Sequence, residues 1–104
     1  MTDNALIEHW IDKVRTWGDD KGILENGTPV AQAVKTIEES SELLTAVNAE
    51  DKSEVKDAIG DVMVTVILQA EMQDMDVRDC LRHAYQQIAS REGRMINGQF
   101  VKEA

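Results

Sequence analysis

Two groups of carboxylates at helical spacing are the residues of this chain best suited to chemistry. They lie in the segments KTIEESSELL and VKDAIGDVMVTVIL and comprise Glu38, Glu39, Glu42, Asp57 and Asp61. Because residues three or four apart share a helix face, Glu39 and Glu42 point together, as do Asp57 and Asp61. Converging carboxylates repel one another unless cations lie between them. Hard divalent ions such as Mg²⁺ prefer oxygen ligands, so the pattern predicts a metal site.

Asp61 carries an additional expectation about burial. It is followed by a nearly unbroken apolar run from Val62 to Leu68, so we expect its carboxylate to lie against the core. An unpaired carboxylate in that position would be costly. The metal hypothesis therefore also predicts how this charge is compensated.

Other interpretations of the same carboxylates remain open. A run of glutamates on a helix is usually a solvated face, and Lys35 is placed to pair with Glu38 or Glu39. The chain would then be a non-enzymatic acidic helical module that binds a protein partner. Two helices joined by a short turn pack antiparallel, however, which favours bringing both acidic pairs together. Glu54 begins a predicted helix, where a carboxylate is favourable without any part in a metal site.

The composition indicates a helical protein of one domain, residues 1–104. Its hydrophobic content is 42% with only 4% aromatic residues and one proline, which favours helices over a β-sandwich. A net charge of −9 argues against a surface for duplex nucleic acid. The lone Cys80 excludes an intramolecular disulfide. We found no signal peptide in MTDNALIEHW and no apolar run long enough to span a bilayer, so we expect a cytoplasmic protein.

Apolar periodicity predicts four helices in an antiparallel bundle. The first is capped at Asp3 or Asn4 and carries apolar positions as far as Trp17, before a connection over 18–27. The second begins with Thr28 as N-cap and Pro29 at the first helical position and runs to about residue 48. Its apolar stripe comprises Val30, Val34, Ile37, Leu44 and Val47.

The third predicted helix follows a turn over 49–52, with Ser53 as N-cap, and runs from 54 to about 72 as the central helix. Its β-branched residues would also permit a strand, but the length favours a helix. Asp74 or Asp76 caps the fourth helix, from 77 to about 90. The positions predicted to face inward there are Cys80, Leu81, Ala84, Tyr85 and Ile88.

The remaining segment is a predicted hairpin. Asn97-Gly98 between two short apolar segments is a strong hairpin signal. Arg91, Arg94 and Lys102 flank this turn and form a basic cluster suited to an anionic ligand. Elsewhere, we expect Trp10 and Trp17 to lie in the core rather than stack on a nucleobase. Cys80 is likewise expected in the core, and His9 and His83 at or near the surface.

The ordered motif Glu39-Ser-Ser-Glu42 and Asp57-Ala-Ile-Gly-Asp61 resembles the ExxE…ExxD signature of the all-α nucleotide pyrophosphohydrolases. The chain looks most like small stand-alone MazG-like proteins, many of them carried by phages. The resemblance extends to Gln32 and Lys35, to IGDVMVT and to the tail GRMINGQFVKE. It implies an oligomeric helical bundle, a homodimer or homotetramer. Such proteins hydrolyse (deoxy)nucleoside triphosphates to a monophosphate and pyrophosphate with Mg²⁺, for which Mn²⁺ is a possible substitute.

The resemblance also implies roles for individual residues. It makes Glu39, Glu42 and Asp61 metal ligands, with Asp57 as the fourth. Because Glu38 neighbours these ligands, it is our candidate for the group that orients or deprotonates the attacking water, with a further metal ligand as the alternative. For the substrate we expect contacts from Lys35, Arg91 and Arg94 to the outer phosphates and from Asn97 to sugar, base or phosphate.

The chain departs from the family pattern at two places. Ala58 stands where a glutamate is expected, and Asp57 lies one position earlier on nearly the same helix face. Ser40-Ser41 replaces a smaller pair within the first motif. The first departure leaves open the number of metal ions, and with it a catalytically impaired relative of the family.

Overall fold

The fold consists of five helices followed by a two-stranded hairpin. A computed structural model describes the backbone of residues 3–103 and the side chains from residue 6 onward. The elements are α1 (Asp3–Asp20), α2 (Ile23–Asn26), α3 (Pro29–Asn48), α4 (Lys52–Met72), α5 (Val77–Ile88), β1 (Gly93–Ile96) and β2 (Gln99–Lys102). The predicted helical class and the C-terminal hairpin are confirmed. Within residues 3–103, no helix combines the length and the apolar character needed to cross a membrane.

The first helix is longer than predicted, because Gly18 lies inside it. Gly18 is buried where α1 crosses α4, and a Cβ at this position would collide with Leu68. The glycine therefore allows close helix packing instead of ending the helix. The predicted connection also contains the short helix α2. Asp3 and Asn4 already belong to α1, and the predicted cap formed by their side chains lies outside the described residues.

The starts of the next two helices are set by capping side chains. Thr28 accepts a hydrogen bond from the backbone N–H of Ala31 (3.2 Å), and Pro29 is the first residue of α3, as predicted. The prediction for α4 is wrong by two residues. Asp51, rather than Ser53, is the N-cap and accepts a hydrogen bond from the N–H of Glu54 (3.2 Å). Asp and Ser are comparable caps, so residue type alone did not decide between them.

Helix α4 is the centre of the fold, as predicted for this helix. It contacts α1, α2, α3 and α5. It supplies most of the buried side chains, which are Ala58, Thr65, Ile67, Leu68 and Ala70. Helix α3 is joined to it by a buried hydrogen bond in which Gln32 Nε2 donates to the carbonyl oxygen of Thr65 (3.1 Å). A second bond, from Gln69 Nε2 to the carbonyl oxygen of Pro29 (2.8 Å), also joins the two helices. Both bonds match the position of α3 along α4.

Helix α5 does not have the buried face that its sequence predicts. Among the described elements its backbone lies close to that of α4 alone, while Arg78 forms an ion pair with Glu8 on α1. Leu81, Tyr85 and Ile88 are all exposed. Cys80 is exposed as well, so its predicted place in the core is wrong. The apolar stripe of α3 is similarly uncovered. Amphipathic periodicity identifies a face that avoids water, but it does not say whether the same chain covers that face.

The hairpin has the turn that Asn97-Gly98 predicts. Asn97 and Gly98 have φ angles of 50° and 81°, the left-handed conformation that a two-residue hairpin turn with matching twist requires. Ile96 pairs with Gln99, and Gly93 with Lys102, in an antiparallel register. The Cα atoms of both strands lie more than 8 Å from those of every described helix. The hairpin therefore stands apart from the helices.

Candidate metal centre

Three carboxylates from α3 and α4 converge where the two helices face each other. Glu39, Glu42 and Asp61 each offer an oxygen, and these oxygens lie within 4.8 Å of one another. We call this group the acidic cluster. Glu39 and Glu42 are one turn apart on α3, and the packing of α4 brings Asp61 to them. The structure thus joins residues separated by about twenty positions in the sequence.

Glu39 is the least exposed member of the acidic cluster. Its side chain is 13% exposed, and its Oε2 atom is buried without a hydrogen-bond donor in the described part of the chain. A hydrogen bond shared with Glu42 raises the pKa of Glu39, burial raises it further, and Lys35 opposes both effects. Two carboxylates can share such a bond only when one of them is protonated. Without a cation, the cluster therefore favours retaining a proton.

Lys35 is the cation that contacts this region. Its Nζ atom lies 3.3 Å from Glu38 Oε2 and 3.6 Å from Glu39 Oε1. Glu38, with a smaller contribution from Glu39, raises the pKa of Lys35. The expected surface pair is thus present with both glutamates. Lys35 does not pair with the other two carboxylates of the cluster. Within residues 6–103, Glu42 and Asp61 form no ion pair.

Asp61 is exposed, and the expectation that it lies against the core is wrong. The apolar run after it reaches the core through Thr65 and Leu68, which lie one and two turns further along α4. Asp61 therefore lies at the edge of the core, where it lines two clefts.

The acidic cluster lies where these two clefts meet. The first, which we call the Trp17 cleft, has a volume of about 410 Å³ and includes Trp17, Gln32 and Lys35 in its wall. The second, the Asp57 cleft, has a volume of about 400 Å³ and includes Asp57 and Glu54. Glu39 lines the first cleft, Glu42 lines the second, and Asp61 lines both. The Trp17 cleft therefore has both apolar and polar walls, whereas the adjoining Asp57 cleft is strongly acidic.

The acidic cluster fits a hard divalent cation. All its donors are carboxylate oxygens, the type that Mg²⁺ and Mn²⁺ prefer. Opposite ligands of an octahedral Mg²⁺ lie about 4.2 Å apart, close to the separation of at most 4.8 Å found here. The buried Oε2 of Glu39 lacks a donor, and a cation would satisfy it. These observations support Glu39, Glu42 and Asp61 as possible ligands.

The other candidate residues lie outside the acidic cluster. Asp57, the expected fourth ligand, and Glu54 line the adjoining Asp57 cleft. Glu38 is exposed beside the cluster and bound to Lys35. Arg91 follows α5, Arg94 lies in β1, and Asn97 is in the hairpin turn. The structure of one chain therefore does not bring these last three residues together with the acidic cluster.

Trp17 and Gln32 have positions that sequence reasoning missed. Trp17 was expected in the core but is 47% exposed and lines the Trp17 cleft; Trp10, expected in the core as well, is 58% exposed. A signal for Gln32 was present. Gln32, Lys35, Glu39 and Glu42 recur at spacings of three and four, so one face of α3 carries the whole polar set.

Comparison with known proteins identifies the family of this chain. Residues 28–95 match the family model for the MazG nucleotide pyrophosphohydrolase domain. The chain is 31% identical over 72 residues to an uncharacterized 18.2 kDa protein from the rep-hol intergenic region of Haemophilus phage HP1 (strain HP1c1). That alignment covers 69% of this chain but only 44% of the phage protein. No solved structure matches the chain. Because the family model covers well over half of its residues, the chain belongs to the MazG nucleotide pyrophosphohydrolase family.

Proposed function

We propose that this protein hydrolyses (deoxy)nucleoside triphosphates to a nucleoside monophosphate and pyrophosphate, using Mg²⁺, with Mn²⁺ as a possible substitute. Family membership supports nucleotide pyrophosphohydrolase activity in general. The observation that carries the more specific proposal is the acidic cluster, with its donor-less buried oxygen, at the junction of two clefts. In a cell, such an activity would control or clean the nucleotide pool.

In this proposal Glu39, Glu42 and Asp61 hold the metal, and Asp57 completes the ligand set from the neighbouring cleft. A divalent ion bound there would neutralise the charge that develops on phosphate oxygens during phosphoryl transfer. Asp57 would take the place of the glutamate that the family pattern has at the position of Ala58. A chain in which it failed to do so would be a catalytically impaired member of the family.

The chain's own residues then orient water and substrate. We assign to Glu38 the orientation of the water that attacks the α-phosphorus, with its carboxylate accepting the water's proton. The bond from the α-phosphorus to its bridging oxygen breaks, and pyrophosphate leaves. Lys35 lies within 4 Å of both Glu38 and Glu39, so its ammonium group is suited to contact a phosphate there.

The nucleoside would occupy the Trp17 cleft. Its wall combines the exposed indole of Trp17 with the apolar side chains of Ile23, Val64 and Leu68, a suitable surface for a planar base. Arg91, Arg94 and Asn97 remain proposed contacts for phosphate or sugar. Because their hairpin stands apart from the helices, we propose that they reach the substrate from a second copy in a homodimer or homotetramer.

A pyrophosphate-release screen tests the proposed activity. We expect natural or modified (d)NTPs to yield pyrophosphate and monophosphate with Mg²⁺ or Mn²⁺, and none after chelation. Asp61→Asn should lower turnover by about 100-fold or more, because it removes a charge that holds the metal, while circular dichroism remains unchanged. Asp20→Asn, which removes a charge at the end of α1, is the matched control. Undiminished turnover in Asp61→Asn would contradict the assignment, and no turnover with any nucleotide would favour a non-enzymatic acidic module.

Metal-free stability tests the electrostatics of the acidic cluster. The folded chain raises the pKa of Glu39, so it binds more protons than the unfolded chain, and stability falls as pH rises above the usual glutamate range. Glu39→Gln removes this penalty. In chelator we expect the variant to melt about 2–5 °C higher near neutral pH, with a smaller gain near pH 4.

Added Mg²⁺ should reverse that order. The wild-type melting temperature should rise by mass action, whereas Glu39→Gln should respond little. Asp20→Asn, measured at the same ionic strength, should behave as the wild type. A Glu39→Gln variant that is less stable than the wild type in chelator at every pH would contradict the account of a strained acidic cluster.

The Trp17 cleft is tested by paired tryptophan variants. Stacking on an aromatic ring contributes about 1–3 kcal/mol per base, so Trp17→Ala should raise KM about fivefold or more. Its effect on kcat should be small if the ring binds the ground and transition states equally. Trp10→Ala is the matched control, because Trp10 lies outside this cleft and packs edge-on against His9 with ring centroids 4.9 Å apart. Equal KM values for both variants would remove Trp17 from the nucleoside site.

A further inference from the structure

Gln32 is a polar side chain in the wall of the Trp17 cleft, and the orientation of its amide is fixed. The residue is only 9% exposed. Its amide nitrogen, Nε2, donates to the carbonyl oxygen of Thr65 on α4 (3.1 Å). Because a carbonyl oxygen can only accept a hydrogen bond, this contact decides which way round the amide lies. The amide oxygen, Oε1, is therefore turned away from the Thr65 carbonyl.

That amide oxygen is available to a ligand. Within residues 6–103, no donor of the chain contacts Gln32 Oε1. In the same residues, Glu39 Oε2 is the one buried side-chain nitrogen or oxygen without a hydrogen-bond partner. Gln32 Oε1 has no partner either, so it must reach accessible surface. Because Gln32 lines the Trp17 cleft, we place this accessible acceptor in the wall of that cleft.

The distance from Gln32 to the acidic cluster suits one nucleoside. Gln32 and Glu39 are seven residues apart on one face of α3 and both line the Trp17 cleft, which separates them by roughly 10 Å along the helix axis. A nucleoside has about this length. If the phosphates lie at the acidic cluster, a base in the cleft brings its far edge to Gln32. For that placement of the phosphates, the inference rests on the proposed function.

Two hydroxyl groups in the same wall leave the preference of Gln32 unopposed. Thr65 Oγ1 donates to the carbonyl oxygen of Val62 (2.6 Å), so its proton is directed to its own helix. Thr28 Oγ1 accepts from the N–H of Ala31 (3.2 Å), and its own proton can rotate. A rotating hydroxyl serves donors and acceptors alike, so Thr28 does not discriminate between them. The fixed amide of Gln32 does, because it favours a ligand that donates.

We propose that Gln32 selects nucleotides whose base carries an amino group at the ring edge opposite the sugar, which are those of cytosine and adenine. The amino N–H donates to Gln32 Oε1. Uracil, thymine, guanine and hypoxanthine have a carbonyl oxygen at that position, which would set two acceptors against each other. The amide cannot turn to relieve this contact, because its oxygen would then face the Thr65 carbonyl. A site built around one hydrogen bond rejects ligands that cannot make it.

Isothermal titration calorimetry with α,β-imido nucleotides measures this selection without turnover, because nitrogen replaces the oxygen at the bond proposed to break. With Mg²⁺, the wild type should bind the dCTP analogue about tenfold or more tightly than the dUTP analogue, or the dATP analogue than the dITP analogue. The pair that binds more tightly decides. Gln32→Met keeps the length of the side chain but removes the acceptor, so this ratio should fall to about twofold or less.

Gln69→Met is the matched control. Gln69 Nε2 donates to the carbonyl oxygen of Pro29 (2.8 Å), so this variant also loses one hydrogen bond between α3 and α4. Gln69 lies outside the Trp17 cleft, and the variant should keep the selectivity of the wild type. Circular dichroism checks that both variants are helical.

A change in the ligand provides a test that needs no variant, and it decides where Gln32→Met is not helical. An analogue with hydrogen in place of the amino group should bind the wild type about fivefold or more weakly than the amino analogue. Equal binding of these two analogues would contradict a hydrogen bond to Gln32.

The outcomes separate this inference from the proposed function. A wild type that releases pyrophosphate but binds the carbonyl member of the tighter pair as well as the amino member would overturn the selection alone. Selectivity that survives Gln32→Met, or that Gln69→Met removes as well, would also overturn it. Amino selectivity without pyrophosphate release would support the selection and contradict the hydrolysis. Absence of binding by every analogue would overturn both.

Discussion

The packing of α3 against α4 is the constraint on which the rest of the structure depends. Side-chain packing and two hydrogen bonds, from Gln32 to the Thr65 carbonyl and from Gln69 to the Pro29 carbonyl, hold one helix in position along the other. With that position fixed, Glu39 and Glu42 meet Asp61 within 4.8 Å, and one oxygen of Glu39 is buried without a donor. The same contact that builds the core therefore creates an electrostatic problem. In the proposed function a divalent cation would resolve it, which would tie the function of the site to the stability of the fold.

The two sides of this helix pair differ in chemical character. One side carries the polar residues, with Trp17 and Lys35 beside the acidic cluster. The other side carries the apolar stripe of α3, which the described chain leaves exposed. The C-terminal hairpin stands apart from the helices. It therefore adds little to the buried core of this chain of 104 residues. In the proposed function, the polar side of the helix pair binds the substrate.

Sequence reasoning was most successful where the relevant physics is local. Capping by Thr28 and the left-handed turn at Asn97-Gly98 follow from the chemistry of neighbouring residues, and both were predicted correctly. It failed where contacts between residues far apart in the sequence determine the structure. Gly18 was taken for a helix end because its contact with Leu68 is invisible in the sequence. Likewise, the periodicity of α5 correctly identified an apolar face but placed it inside its own chain. The pairing of the two acidic motifs followed from helix periodicity and a short turn, whereas the position of Trp17 required the crossing of α1 and α4.

The central claim is that the acidic cluster binds a divalent cation, and Mn²⁺ titration followed by electron paramagnetic resonance measures this most directly. The signal of free Mn²⁺ should fall as wild-type protein is added, with saturation at one or more ions per chain, and excess Mg²⁺ should restore it. Glu39→Gln should lose most of this binding, and Asp20→Asn should retain it. Equal Mn²⁺ binding by the wild type and Glu39→Gln, or none by either, would contradict the account.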